Sequence, residues 1–239
     1  MNTVKFEKGQ TLVVAHRGLS GIERENTNSA FVAAGNRSYY GIETDIHRTA
    51  DGRFVVNHDS TLLRVGGEAV KVEEVSLSVL QNIVLFDKDG TKDRLDLRPC
   101  TLENYISICK KYEKHCVLEL KSEFTDEETE RFIDIIKKLD YLDSVTFISF
   151  HHDNLRKIRK LLPLQSAQFL FSEMTEDDVN NVISEGFDVD VHYKALSKEL
   201  VNRLHDSGIK VNCWTVDSKD DAEALVAMGV DFITTNILE

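Results

Sequence analysis

Eight short apolar runs punctuate the chain, at Leu12–Ala15, Gly41–Ile46, Cys116–Leu120, Val145–Phe150, Ala167–Phe171, Phe187–Val191, Val211–Val216 and Val230–Thr234. Near-continuous apolar stretches of this length are the mark of parallel strands buried on both faces. Amphipathic segments lie between them. Phe132, Ile133, Ile136 and Leu139 fall at helical spacing, as do Leu155, Ile158, Leu161 and Leu162, and later Leu200, Val201 and Leu204. Gly208 and Gly229 stand where helices would stop. Thr125 with Glu128, and Ser218 with Asp221, have the spacing of capping boxes. Strand and helix alternating over the whole length predicts an α/β protein with a parallel sheet. Eight strands predict that the sheet closes into a (β/α)8 barrel.

One stretch breaks the alternation. Thr49-Ala50-Asp51-Gly52-Arg53 separates two strand-like runs with no helix between them, and Asp-Gly flanked by β-formers signals a hairpin. A two-residue turn would pair Ala50 with Arg53 and, counting back, Asp45 with His58. Residues 65–97 are irregular. A helix is expected near Glu73–Ile83, followed by the polar run Asp87–Arg94. This segment reads as an insertion after the second barrel strand, beside the mouth of a single domain spanning 1–239. With two prolines and no Gly/Ser linker, nothing marks a domain boundary.

Charge narrows the function. The 239 residues carry 29 Lys+Arg and 41 Asp+Glu, a formal net charge of −12. Such a surface is a poor start for gripping nucleic acid or an anionic membrane. An anionic substrate must therefore meet a local cationic or metal site. Cys100, Cys109, Cys116 and Cys213 form no CxxC pair, which argues against a zinc ribbon and for buried free thiols in a reducing cytoplasm. No signal peptide is expected from the opening residues, and no run approaches 18 apolar residues, so no membrane insertion is expected. Sequence leaves the oligomeric state open.

Barrel enzymes work at the C-terminal ends of their strands. There the first run ends in His16-Arg17-Gly18, the second carries Glu43 and Asp45, the hairpin return ends in His58-Asp59, the third carries Glu119 and Lys121, and the seventh carries Trp214. Residues two apart on a strand share a face. If Glu43, Asp45 and Glu119 point inward, three carboxylates crowd one mouth at high cost. A hard divalent cation resolves that cost, and all-oxygen ligation favours Mg2+ or Ca2+ over zinc. Ion pairing of Glu43 and Asp45 with Arg48, Arg53 or Lys121 is the competing explanation. His16 and His58 titrate near neutrality when unperturbed and can divide acid and base roles. Arg17 and Lys121 supply fixed positive charge suited to phosphate. Trp214 is either a substrate wall or a core residue. His151 and His152 are expected at the rim, and His192 either contacts substrate or does not. Asp59 either orients His58 or pairs across the hairpin.

In order and spacing these pieces resemble the glycerophosphodiester phosphodiesterase family. The matching residues are His16-Arg17-Gly18, Glu25-Asn26-Thr27, Phe31, Gly41-Ile42-Glu43-Thr44-Asp45, Thr49-Ala50-Asp51-Gly52, Val55 to Asp59, Thr101-Leu102-Glu103, Glu119-Leu120-Lys121 and Trp214-Thr215-Val216. The resemblance implies a TIM barrel with a small insertion after the His-Asp segment. It also implies metal-dependent hydrolysis of small-molecule glycerophosphodiesters to glycerol 3-phosphate and an alcohol. By position, it makes Glu43, Asp45 and Glu119 ligands of one divalent cation, and His16 and His58 the acid–base pair. Arg17 and Lys121 become phosphate binders and Trp214 a wall for the glycerol moiety. The chain departs from the family pattern at Arg24, where Pro is usual, and at Asn236, where Asp is usual. Two rival functions share the barrel: a lysophospholipase D-type or sphingomyelinase D-type lipid phosphodiesterase, and a non-catalytic phosphodiester-binding protein. The chain shows no basic amphipathic or aromatic segment for approaching lipid, and its full histidine and carboxylate set speaks against a mere binder.

Overall fold

The computed structural model describes residues 2–239. In chain order the strands are β1 Leu12–Ala15, β2 Gly41–Arg48, β3 Phe54–Val56, β4 Thr61–Leu62, β5 Glu68–Lys71, β6 His115–Leu120, β7 Val145–Ser149, β8 Ala167–Phe171, β9 Asp188–His192, β10 Val211–Trp214 and β11 Phe232–Thr235. From β1 to β2 to β6, and then in sequence to β11, every neighbour is parallel, and β11 returns to β1. The eight-stranded parallel barrel is closed, as the apolar runs predict. The helices follow the strands and pack outside. Thr27, Thr101, Thr125, Thr175, Ser197 and Ser218 cap helix N-termini by accepting a backbone N–H. Thr125 and Glu128 form the full reciprocal box, whereas Ser218 caps from one side only. Gly229 ends its helix in the left-handed region at φ +89.

The main core lies between barrel and helices, with Phe31, Phe132, Phe147 and Phe169 fully buried. Inside the barrel the apolar cluster is small: Val14, Val117, Ile148 and Leu170. Beside and above them stand polar inward residues, His16, Glu43, Glu119 and Asp190 among them, which line a cleft at the upper lumen.

The hairpin forms, but in another register. Ile46 faces Val56, His47 faces Val55 and Arg48 faces Phe54. Thr49 N–H donates to Arg53 O at 2.9 Å and Gly52 N–H to Thr49 O at 2.8 Å. The loop is therefore Ala50–Gly52, with Gly52 at φ +71, the three-residue turn that closes on a left-handed glycine. The expected Ala50–Arg53 and Asp45–His58 pairs are displaced by one. Asn57 stands opposite Asp45, its N–H donating to the Asp45 carbonyl at 3.1 Å. A one-residue slip exchanges the two faces of a strand, so His58 reaches the site from the bend after β3, not from the ladder.

The insertion has its own small core, Leu62, Val65, Val72, Leu77, Leu80, Leu85 and Leu97 against Val55. The helix expected near Glu73–Ile83 is divided into a 3-10 turn, Val72–Glu74, and a five-residue helix, Leu77–Gln81. The hairpin loop divides it. Ala50 N–H donates to Val75 O at 2.9 Å, and Asp51 Oδ1 accepts the Leu77 N–H at 3.0 Å. The polar run leans on the β1 loop. Lys88 Nζ donates to Ser20 O at 2.7 Å, Arg94 pairs with Glu23 at 2.7 Å, and Arg24 donates to the carbonyls of Phe86 and Asp87. Where the family pattern has Pro, Arg24 thus fastens the insertion to the barrel mouth.

Candidate active site

The loop after β1 is built by backbone conformation. Arg17 sits at φ +55 and Gly18 at φ +78. A Cβ on Gly18 would lie 2.7 Å from the Ala30 backbone, so only glycine fits. This turn aims the Arg17 N–H at Glu43 Oε2, 2.8 Å away. The Arg17 guanidinium lies 2.9 Å from Glu25 and 3.5 Å from Asp45. Asn26, also left-handed at φ +57, donates from Nδ2 to Asp45 Oδ2 at 2.8 Å and accepts the Thr44 hydroxyl at 2.8 Å.

Glu43, Asp45 and Glu119 each offer an oxygen within 4.8 Å of the others, and all three are buried. Burial, then the charge of Asp45, pushes the Glu43 carboxyl well above the usual carboxylate range. Glu119 is raised by the same two causes in the same order. Burial works against the Asp45 charge too, but Arg17, Lys121 and His58 overcome it and hold that carboxyl low. Lys121 Nζ lies 2.8 Å from Glu119 and 3.4 Å from Asp45. Asp45 Oδ1 is nevertheless buried without a hydrogen-bond partner. Three convergent carboxylates, one with an orphaned oxygen, fit a hard divalent cation. Of the cations expected in the competing ion-pair explanation, only Lys121 reaches these carboxylates; Arg17, which it did not include, also pairs with Asp45. Arg48 pairs elsewhere, with Glu73 and Glu128, and Arg53 with Glu103.

The two histidines are held differently. His16 Nδ1 lies 2.8 Å from Asn236 Oδ1, which also accepts the Ser20 hydroxyl at 2.6 Å. Asn236 Nδ2 donates to Asp217 at 2.6 Å, which fixes the amide's orientation. The network therefore assigns the His16 proton to Nδ1 and leaves Nε2 as an acceptor, 3.9 Å from Glu43. Burial, then Arg17, lowers the His16 pKa to about 4. His58 Nδ1 lies 2.7 Å from the Asp59 carboxylate, which resolves the alternatives for Asp59 in favour of orienting His58. Asp59 is held in turn by Arg64 at 2.7 Å, and Arg64 also forks onto Glu25. The insertion thereby braces both His58 and Arg17.

His16, Arg17, Glu43, His58, Glu119, Lys121 and Trp214 line one cleft, with Asp45 buried beneath. Its other walls are Ile148, Phe150, Leu170, Asp190 and Thr234. Trp214 meets Phe150 and His192 edge to face at 5.8 and 5.3 Å, so it is a wall rather than a core residue. His152 stacks on Phe169, His151 stands exposed near Glu123, and neither lines the cleft. His192 reaches the cleft only through Trp214. Sequence reasoning gave no role to Asn236, Asp217, Arg64 or Asp190. Asn236 stands out in the sequence only as a departure from the family pattern, because its partner His16 lies 220 residues away. Asp190 carried a faint signal, a charge inside an apolar strand.

Residues 16–239 match the model of the glycerophosphoryl diester phosphodiesterase family. A glycerophosphodiester phosphodiesterase of Caldanaerobacter subterraneus subsp. tengcongensis is 31% identical, over 95% of this chain and 94% of that one. The crystal structure of a glycerophosphodiester phosphodiesterase from Parabacteroides distasonis superposes with a TM-score of 0.80 at 28% identity, covering 96% of this chain and 94% of that one. A phosphodiesterase of Oleispira antarctica, solved in complex with the product sn-glycerol-3-phosphate, shares the fold with a TM-score of 0.87 at 23% identity over 95% and 93% of the two chains. Fold and relatives together define a phosphoric diester hydrolase. The chain belongs to the glycerophosphoryl diester phosphodiesterase family.

Proposed function

We propose that the protein hydrolyses glycerophosphodiesters to sn-glycerol 3-phosphate and an alcohol. One observation carries the reading: three carboxylates converging within 4.8 Å share a cleft with two oriented histidines and two fixed cations. The Oleispira neighbour's product is consistent with it. Glu43, Asp45 and Glu119 would hold one Mg2+ or Ca2+. When bound, that cation withdraws charge from phosphodiester oxygens and makes phosphorus more electrophilic. Arg17, whose buried Nε has no hydrogen-bond partner, and Lys121 meet the same oxygens. His16, uncharged at neutral pH, takes through Nε2 the proton of the attacking hydroxyl, either water or the substrate's own 2-hydroxyl; in the second case departure of the alcohol leaves a cyclic phosphate, which water then opens to glycerol 3-phosphate. As the bond from phosphorus to the leaving oxygen breaks, His58 gives a proton to the departing alkoxide; burial lowers its pKa from the usual 6.5, and the charge of Asp45 and then the hydrogen bond to Asp59 support its imidazolium against that. We read barrel and insertion as one catalytic unit, since Arg64 from the insertion sets both Asp59 and Glu25. Buried free thiols at all four cysteines suit a reducing cytoplasm. No helix of the described residues is long and apolar enough to cross a membrane.

The test is release of glycerol 3-phosphate from glycerophosphocholine and glycerophosphoethanolamine, with Mg2+, with Ca2+ and with a chelator, beside folded His58→Ala. Chelator-sensitive release that the variant loses by about 100-fold or more is expected. No release by folded, cation-loaded protein across several headgroups would overturn the reading and turn attention to lysolipids.

A further inference from the structure

Asp190 lies on β9 between Leu170 of β8 and Asn212 of β10. It is 1% exposed, it lines the cleft, and its Oδ1 has no hydrogen-bond partner. The mechanism above makes no use of it. Its polar neighbours satisfy one another: Asn212 donates to Gln168 at 3.3 Å and accepts the Thr234 hydroxyl at 3.2 Å. A buried carboxyl left alone is costly, and the cost is recovered when a ligand supplies the missing partner. The other orphaned atoms around the cleft already have chemistry aimed at them, Asp45 Oδ1 that of a cation and Arg17 Nε that of phosphate. Asp190 stands on the wall formed by Ile148, Leu170 and Trp214, and the Trp214 indole N–H donates to its carbonyl at 3.3 Å.

A ligand with its phosphate at Arg17 and Lys121 and its carbon skeleton against Trp214 brings its remaining polar atoms to this wall. We propose that Asp190 reads a hydroxyl of the glycerol moiety and so sets preference for a polyol phosphate over a plain alkyl phosphate. This rests on the reading of the cleft as a glycerophosphodiester site. The partner is a hydroxyl and not an ammonium, because burial, with Glu119's charge second, drives the Asp190 carboxyl well up toward its protonated form. A protonated carboxyl donates one hydrogen bond and accepts another, as an alcohol requires, and offers a cation no charge.

The experiment compares binding of sn-glycerol 3-phosphate and propyl phosphate by calorimetry. Both ligands are titrated into Mg2+-loaded protein, with wild type beside Asp190→Ala and Asp190→Val. The second variant keeps an apolar strand residue should alanine fold poorly. Wild type is expected to prefer the polyol by about tenfold or more, and the variants to lose most of that preference while still binding propyl phosphate. A folded variant that keeps the wild-type ratio, or a wild type without preference, overturns the proposal. Turnover of glycerophosphocholine by wild type is scored separately. Its absence would sink the hydrolase reading, whereas an Asp190-dependent binding ratio would still establish the hydroxyl contact.

Discussion

At the scale of single residues, the two histidines differ in what stands behind them. His58 backs onto the Asp59 carboxylate, whereas His16 backs onto the neutral Asn236 amide, with the Asp217 charge one step further away. An adjacent carboxylate favours imidazolium more strongly than an amide oxygen does, although the Asn236 hydrogen bond also raises the His16 pKa. That difference underlies the proposal of His16 as the base, and it can be tested without changing net charge. The double variant Asn236→Asp with Asp217→Asn exchanges carboxylate and amide. It is expected to raise the His16 pKa from about 4, moving the acid limb of the kcat/KM profile up by about 1 pH unit or more. A profile that stays in place would mean that His16 does not titrate as the base. Nothing local in the sequence announces this relay. Asn236 is a family departure when read as a string, and a His16 partner only once β11 closes against β1.

At the scale of elements, what could be read in the sequence followed from burial. Strands apolar on both faces leave near-continuous runs, so the eight barrel strands were legible, and capping chemistry placed the helix that starts at Thr125. The hairpin was legible as a hairpin but not in register, because a left-handed Gly52 closes a three-residue loop where Asp-Gly alone suggests two. The insertion was least legible. Its elements are three to five residues long and are held by contacts to Ala50 and Asp51, so no periodic window exists to be read. The site residues on strand ends were legible through alternation, whereas Arg64 was not, because only the folded insertion brings it to Glu25 and Asp59. The β1 loop shows how one element constrains the rest. Gly18→Ala places a methyl group 2.7 Å from Ala30 at a positive φ. It is expected to cost about 2 kcal/mol or more in a denaturant melt and to weaken Mg2+ binding, since Arg17 N–H no longer steadies Glu43. Wild-type stability in that melt would remove the loop from the account of the site.

At the scale of the whole molecule, the barrel concentrates charge in a place where it is unstable alone. Glu43 and Glu119 have raised pKa values because burial and the Asp45 charge oppose ionisation. A carboxyl whose folded pKa exceeds its unfolded value of 4.5 binds the extra proton in the folded state. In metal-free protein these groups therefore make stability fall as pH rises above about 4.5 toward neutrality. Histidines lowered by burial, His16 and His115 to about 4, act the opposite way over part of that range. The site's own contribution thus appears as the difference between wild type and Glu43→Gln, in which the histidine background largely cancels. In a chelator, Glu43→Gln is expected to melt higher than wild type, with the gap widening from pH 5 to pH 8. With Mg2+ or Ca2+ the order should reverse. A cation at 100 times its Kd adds about 2.7 kcal/mol to a protein that binds it only when folded, and the variant lacks one of the three proposed ligands. Thermal melts of both proteins at the two pH values, with and without cation, decide the matter. Curves that cross only when the cation is added identify Glu43 as a ligand held at a cost to the empty barrel. Curves that keep one order in every condition would mean that the three carboxylates are already satisfied by Arg17 and Lys121, and that the cleft needs no metal.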